Sequence, residues 1–319
     1  MSQLSFLICT EKGILENQSR ILVSSIRRFG GALKDCPIYS FQPRKSKKIS
    51  KETIKFFEQN NVTLIDRELN KSYKFYPLAN KVLACAWAEE NVESEILVFL
   101  DSDVAVLGEP LEFTNLNNAD ARLRPVDIKG IGSDGQGDPA WPFWKKLYHA
   151  YNISSYKYVE TTVDQENILA YWNAGHIVAR RSSSLFNSWK QTLDKMLADK
   201  TLPPSGLFFM DQISLAITIS CLNLKVDQLP PAYNYPLHLH EKMLQQGIAL
   251  QPAKVVSFHY HDVFGTGQYP VCLEDFLTNQ EKGIWLANIL KKYDLKLPAH
   301  QKIMGRLRSY KNNLVFKYL

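Results

Sequence analysis

Two carboxylates, Asp101 and Asp103, stand where the apolar run Ile96–Leu100 stops, with Ser102 between them and a second apolar run, Val104–Val106, behind. In an extended chain residues i and i+2 project to the same side, so this spacing predicts both carboxylates on one point. Two hard oxygen ligands there suit Mg²⁺ or Mn²⁺, above all when a bound diphosphate supplies the remaining oxygens. The end of a strand is also where open α/β sheets place their ligands. D-x-D by itself is common and usually marks a solvated turn; its place between two apolar runs sets this one apart. Ser102 is read as a small spacer or a ribose contact, with a plain turn residue as the competing reading.

Three further segments carry polar groups at the edge of apolar ones. Trp172-Asn173-Ala174-Gly175-His176 enters a strand through a small polar cluster, where Gly175 would let backbone approach a ligand closely. Asp211-Gln212 opens the apolar helix ISLAITI, so Asp211 is either a helix cap or a first-turn acid favoured by the helix dipole. Val255 to His261 is a strand that ends in two imidazoles, His259 and His261. These lie on one side if the strand continues, which makes them rival ligands.

In this order, D-x-D, N-A-G, D-Q and a strand running into H-Y, the motifs resemble those of the retaining GT-A glycosyltransferases of the glycogenin and lipopolysaccharide galactosyltransferase kind. The resemblance covers residues 1 to about 265 and implies a Rossmann-like mixed sheet flanked by helices. It further implies that Asp101, Asp103 and His259 hold Mn²⁺ or Mg²⁺, and that Asp211 and Gln212 lie beside the sugar and its anomeric carbon. Asn173, Ala174 and Gly175 would then frame donor sugar and acceptor. The implied reaction moves a hexose from a nucleoside-diphosphate sugar, with uridine as the base, to a hydroxyl of a carbohydrate or glycoconjugate, with retention.

Two departures matter. The family continues from its histidine into G-x-x-K-P-W, whose lysine touches the diphosphate, whereas this chain reads HDVFGTGQYP. Lys81, at the start of the helix before the D-x-D strand, is the candidate replacement, with an ordinary exposed lysine as the alternative. At the first strand Thr10-Glu11-Lys12 stands where the family contacts uracil, without reproducing its pattern; Thr10 is the candidate contact there.

The elements that must position these groups are legible as short apolar runs alternating with helical patterns, the mark of an open α/β sheet. Strands are predicted over Leu4–Thr10, Pro37–Phe41, Val62–Ile65, Glu95–Leu100, Trp172–Ala179 and Val255–Phe258. Helices are predicted over Gln18–Phe29, Lys51–Asn60, Lys81–Glu90, Ser183–Ala198 and Asp211–Cys221. Residues 127–142, rich in Gly, Asp and Pro, read as a functional surface loop. The wider segment 122–145, with Arg122, Arg124, Asp127, Trp141, Phe143 and Trp144, is predicted either to grip a carbohydrate acceptor or to form a structured lid. The catalytic domain is expected over residues 1–270 and a helical basic extension over 271–319.

Composition agrees. A chain of 319 residues with 45% apolar and 12% aromatic content can bury a large core. Five cysteines without C-x-x-C spacing, most of them in apolar stretches, read as reduced cytosolic thiols. No signal-peptide pattern opens the chain, and no apolar run nears the ~20 residues that span a bilayer. The net charge of +6 gathers in residues 291–319, where eight Lys or Arg face one acid, Asp294. With Leu307, Tyr310, Leu314 and Phe316 interleaved, this tail either rests on an anionic membrane surface or packs as a solvated helix. The expected location is the cytoplasm, either free or peripheral on the inner face of a membrane, and no nucleic-acid motif is visible. The competing functions are an inverting enzyme using Asp211 as general base, a sugar-nucleotide nucleotidyltransferase, and a non-catalytic carbohydrate-binding protein. The nucleotidyltransferase is disfavoured because residues 10–20 hold only Gly13 where a Gly-rich phosphate loop is needed.

Overall fold

A computed structural model describes residues 3–203, 206–267, 271–296, 307 and 311–313. The first half is a regular alternation: β1 (Leu4–Cys9), α1 (Ile14–Phe29), β2 (Ile38–Phe41), α2 (Lys51–Gln59), β3 (Val62–Ile65), α3 (Ala79–Asn91) and β4 (Ile96–Leu100). Strands β1 and β4 are almost wholly buried, as strands covered on both faces must be. Helix α1 closes where the Gly30 N–H donates to the Ile26 carbonyl. Helix α2 starts on Ser50, whose hydroxyl accepts from the Thr53 N–H. Small residues let α3 sit close to the sheet: Ala79, Ala84, Cys85 and Ala88 are fully buried.

After β4 come β5 (Val104–Val106), β6 (Ala121–Leu123), α4 (Trp141–Ala150), the hairpin of β7 (Tyr158–Glu160) and β8 (Asn167–Leu169), β9 (His176–Arg180), α5 (Leu185–Ala198) and α6 (Met210–Cys221). Then follow β10 (Val226–Gln228), β11 (Tyr235–Pro236), α7 (His240–Gln245), β12 (Ser257–His259), α8 (Val263–Thr266), α9 (Val271–Asn279) and α10 (Glu281–Lys292). The main sheet has seven strands in the order β10-β6-β9-β4-β1-β2-β3. Strands β1 to β4 pair in parallel, and β9 runs antiparallel to both β4 and β6. This is the mixed α/β sheet expected from the sequence.

The chain leaves that sheet at the aspartates. Ser102 and Asp103 form a turn, and β5 then joins a second sheet of order β11-β12-β5, with His259 opposite Val104. The two carboxylates therefore lie across a crossing between sheets rather than along one extended strand, a correction to the i, i+2 expectation. The strand predicted from Trp172 begins only at His176, because residues 172–175 turn; Trp172 makes a single bridge, to Pro125. Helix α4 begins at Trp141, where the predicted loop 127–142 ends.

Three apolar clusters hold the layers together. One lies between the sheet and α3, α4, α5 and α6; a second lies on the opposite face under α1 and α2. The third joins Tyr235 and Phe258 of the small sheet to Leu273, Phe276 and Leu286 of α9 and α10. None of the five cysteines is in a disulfide. Among the described residues no helix is long and apolar enough to cross a membrane. Most of the basic tail, including Tyr310, Leu314 and Phe316, lies outside the described residues. Of its described part, Asn313 accepts from the Leu207 N–H and Asn312 donates to the Phe75 carbonyl.

Candidate active site

A cavity of about 880 Å³ opens at the carboxyl end of β4 and is lined by Lys81, Asp101, Ser102, Asp103, Asn173, Gly175, Asp211, Gln212 and His259. Residues far apart in sequence meet there through strand register. Leu100 of β4 faces His176 of β9, so the next residue, Asp101, donates its N–H to the Gly175 carbonyl at 2.8 Å.

One wall is built around a buried lysine. Lys81 Nζ lies 2.9 Å from Asp101 Oδ2 and 3.4 Å from Asp211 Oδ2, and it also reaches the Ala174 carbonyl at 3.5 Å. Burial works against its charge, but Asp101 and Asp211 hold the ammonium above its ordinary range. Burial pushes the Asp101 carboxyl upward, with Lys81 opposing. Asp211 sits in the first turn of α6 rather than at its cap, which is Phe209. The Tyr76 hydroxyl donates to its carboxylate at 3.1 Å and accepts from its N–H at 2.8 Å. Trp189 donates to its carbonyl at 2.9 Å.

The other wall gathers imidazoles on Asp103. His259 Nε2 lies 3.4 Å from Asp103 Oδ1 and His261 Nδ1 lies 3.5 Å from Oδ2. One ligand atom from each of the three falls within 4.8 Å of the others. Strand β12 stops at His259 and does not run on; His261 adopts a left-handed backbone, φ 48°, uncommon for a residue with a side chain. That bend stacks its ring on His259, centroids 4.0 Å apart, so both face one carboxylate. His238 meets His261 edge-on at 4.2 Å. Despite burial, His259 and then His261 hold Asp103 well below the usual carboxylate range. Burial and the neighbouring His259 push His261 down to about 3, leaving it neutral. For His259 burial lowers basicity, yet Asp103 raises it overall. A carboxylate and two imidazoles converging on one point fit a divalent transition ion such as Mn²⁺.

Gly175 is needed where it stands, because an added Cβ would lie 2.6 Å from His259 Cε1. Asn173 shapes this turn by accepting the Gly175 N–H at 2.7 Å. Ser102 donates to Gln18 at 3.3 Å and is nearly buried. Thr10 does not line the cavity; its hydroxyl donates to Ser19 and accepts from Ser40 within the core. Ala174 contributes its carbonyl alone. The loop aromatics expected to grip an acceptor pack inward: Trp144 is fully buried, its indole donating to the Ile131 carbonyl. Arg122 pairs with Glu112, and Arg124 donates to the Pro230 carbonyl. The loop instead lines the cavity with residues 126–131, among them Lys129, which Asp138 holds at 2.7 Å. Tyr171, His238, Phe208 and Phe209 also line the cavity; in sequence they read as ordinary core or turn residues. Phe208 is 60% exposed and offers its ring to solvent.

Sheet order, the crossing at the aspartates and the cavity at the strand ends are those of a GT-A fold. A family model described as a Rhodobacterales glycosyltransferase domain matches residues 6–223, and the chain belongs to that family. Among solved structures the fold is similar to the glycosyltransferase GlyE of Streptococcus pneumoniae TIGR4, with TM-score 0.50, 13% identity, and coverage of 94% of this chain and 66% of that one. It is also similar to the bifunctional WbbM, with TM-score 0.52 and 15% identity over 90% of this chain and 52% of that one. The galactosyltransferase LgtC, solved with donor and acceptor sugar analogs, gives TM-score 0.52 and 12% identity over 93% and 99%. The chain thus spans just under two thirds of GlyE and about half of WbbM. At these identities the likeness is one of fold. No curated protein matches the sequence.

Proposed function

We propose that the chain transfers a hexose from a nucleoside-diphosphate sugar, most simply a UDP-sugar, to a hydroxyl of a carbohydrate or glycoconjugate, with a divalent cation and with retention. The observation that carries this is the cluster of Asp103, His259 and His261 facing Asp211 and Lys81 across one cavity. Asp103, His259 and His261 would hold Mn²⁺ or Mg²⁺, and the two imidazoles favour Mn²⁺. Bound there, the ion would stabilise negative charge on the leaving diphosphate.

The protein's own groups do the rest. Lys81 sets one ammonium between Asp101 and Asp211, 2.9 and 3.4 Å away, where a buried acid without a counter-charge would be costly. Asp211, held by Tyr76, is placed to stabilise positive charge as the anomeric carbon loses its leaving group, a transition state of oxocarbenium character. Gln212, next along α6, presents a polar edge to the same space. The exposed ring of Phe208 gives the acceptor sugar an apolar face. Cysteines without disulfides support a reducing compartment, the cytoplasm. The catalytic unit runs over residues 1–270, and the apolar cluster shared with α9 and α10 supports an extension that packs on it.

A panel of nucleotide sugars assayed for nucleoside-diphosphate release, with Mn²⁺, with Mg²⁺ and with EDTA, tests the proposal. One donor should turn over with metal and cease with EDTA, and NMR of the product should show the donor's anomeric configuration. Turnover undiminished by EDTA would overturn the metal role, and an inverted product would overturn retention.

A further inference from the structure

We propose that the Tyr171 hydroxyl is the hydrogen-bond partner of a hydroxyl on the transferred hexose, and so a specificity-determining residue; this rests on the sugar-transfer reading above. Two tyrosines stand near Asp211, and they differ. The Tyr76 hydroxyl is fully engaged with that residue, as acceptor and as donor. Tyr171 lines the cavity and is 2% exposed, and its buried hydroxyl has no hydrogen-bond partner among the described residues. A buried hydroxyl left unpaired is costly, so native proteins satisfy such groups, with water or with ligand when no protein group is at hand.

The ring cannot swing away to find another partner. It packs edge-on against fully buried Trp144 at 5.3 Å, and the backbone carbonyl of Tyr171 accepts from the Val126 N–H. Burial and then the nearby Asp211 carboxylate raise the phenol's pKa well above its ordinary value, so the group stays a neutral donor and acceptor. The same carboxylate repels phosphate oxygens from this corner, whereas a neutral pyranose hydroxyl meets no such penalty. Tyr171 also stands two residues before Asn173, in the irregular stretch that enters β9. Trp172, next in sequence, also has a buried unpartnered N–H, but it does not line the cavity.

The test is Tyr171→Phe, assayed with the donor the wild type uses best and with its monodeoxy analogues. The expected result is a loss of about ten-fold in kcat/KM for that donor, the scale of one hydrogen bond, with the Kd for the free nucleoside diphosphate unchanged. One monodeoxy donor, lacking the contacted hydroxyl, should be used equally by both proteins. Thermal stability of the variant should match or exceed that of the wild type, because no protein partner is lost. A variant that retains the wild-type rate and ranking of donors overturns the inference. So does one whose melting temperature falls or whose nucleoside-diphosphate affinity drops with its activity, since either marks a structural role. A wild type that turns over no donor removes the sugar-transfer reading, and this inference with it; a working wild type with an unaltered Phe variant removes this inference alone.

Discussion

Asp101 and Asp103 are two residues apart, yet they belong to walls of opposite design. Asp101 ends the main sheet and faces inward to Lys81, which it shares with Asp211. Every charge on that wall is answered by another protein charge. Asp103 ends the turn, next to the first strand residue of the small sheet, and its partners are imidazoles that carry lone pairs as well as protons. That wall holds donors for an ion, and the first wall holds two acids around one ammonium. The metal ligands implied by the resemblance are Asp101, Asp103 and His259; in the structure Asp103 converges with both histidines, while Asp101, in the same cavity, pairs with Lys81, a separation of partners. Breaking each wall in turn shows whether the separation is real.

The largest effect should come from Asp103→Ala. It removes the group on which both histidines converge, and activity should fall about 10³-fold, with metal binding lost and folding kept. Asp101→Asn should keep most of the Mn²⁺ affinity, because the amide still faces Lys81. Equal loss of Mn²⁺ binding in both variants, measured by calorimetry on folded protein, would put Asp101 among the ligands and erase the contrast.

Next comes Lys81→Met. It leaves Asp211 and Asp101 buried without a counter-charge, and breaking such a pair costs about 3 kcal/mol. The partial exposure of Asp101 places the value at the low end of the usual range. The melting temperature should drop by about 5–10 °C, while Mn²⁺ affinity changes little. A stable variant would mean that Lys81 does not hold the two acids in place.

Gly175→Ala strikes where the walls meet. Its Cβ would press on the His259 ring at 2.6 Å while the same residue's carbonyl accepts from Asp101. Overpacking of this kind costs about 2 kcal/mol, and the ring would shift from Asp103. Activity should fall by about thirty-fold, through loss of metal affinity, with nucleotide affinity measured in the absence of metal unchanged. Wild-type metal affinity in this variant would show that the ring position does not matter.

The first half of the fold was legible because β1 to β4 are short, mostly apolar, β-prone runs and α1 and α2 are amphipathic, signals local to each segment. The motifs were legible as residue types, and Asp211, Gln212, Asn173 and Gly175 do meet. What could not be read is which partner each one takes. Asp101 finds Gly175 through the register of β4 against β9, and Asp103 finds His259 through β5 against β12; both are long-range pairings. The bend at His261 and the turn at Ser102 arise where strands leave a sheet, and neither residue type announces it. Tyr171 and Trp144 are both aromatic and buried, so only the unpaired hydroxyl, a property of the folded surroundings, tells the cavity residue from the core one.

The smallest effect is also the sharpest probe of the histidine wall. His261 is neutral because burial and His259 have pushed its pKa to about 3, and Asp103 stays ionised. His259, raised by Asp103 against the pull of burial, is then the group that must lose a proton before it can ligate. Below its raised pKa one proton competes with the ion, so Mn²⁺ affinity should climb by up to about ten-fold per pH unit and level off above it. Calorimetric titrations between about pH 5 and 8 measure that slope. His259→Asn should flatten it, and His261→Asn should weaken binding while leaving the slope at one proton. A slope of two protons, or one that survives His259→Asn, would show that His261 also binds a proton in the free protein. The two rings would then be equivalent rather than divided between a titrating ligand and a neutral one.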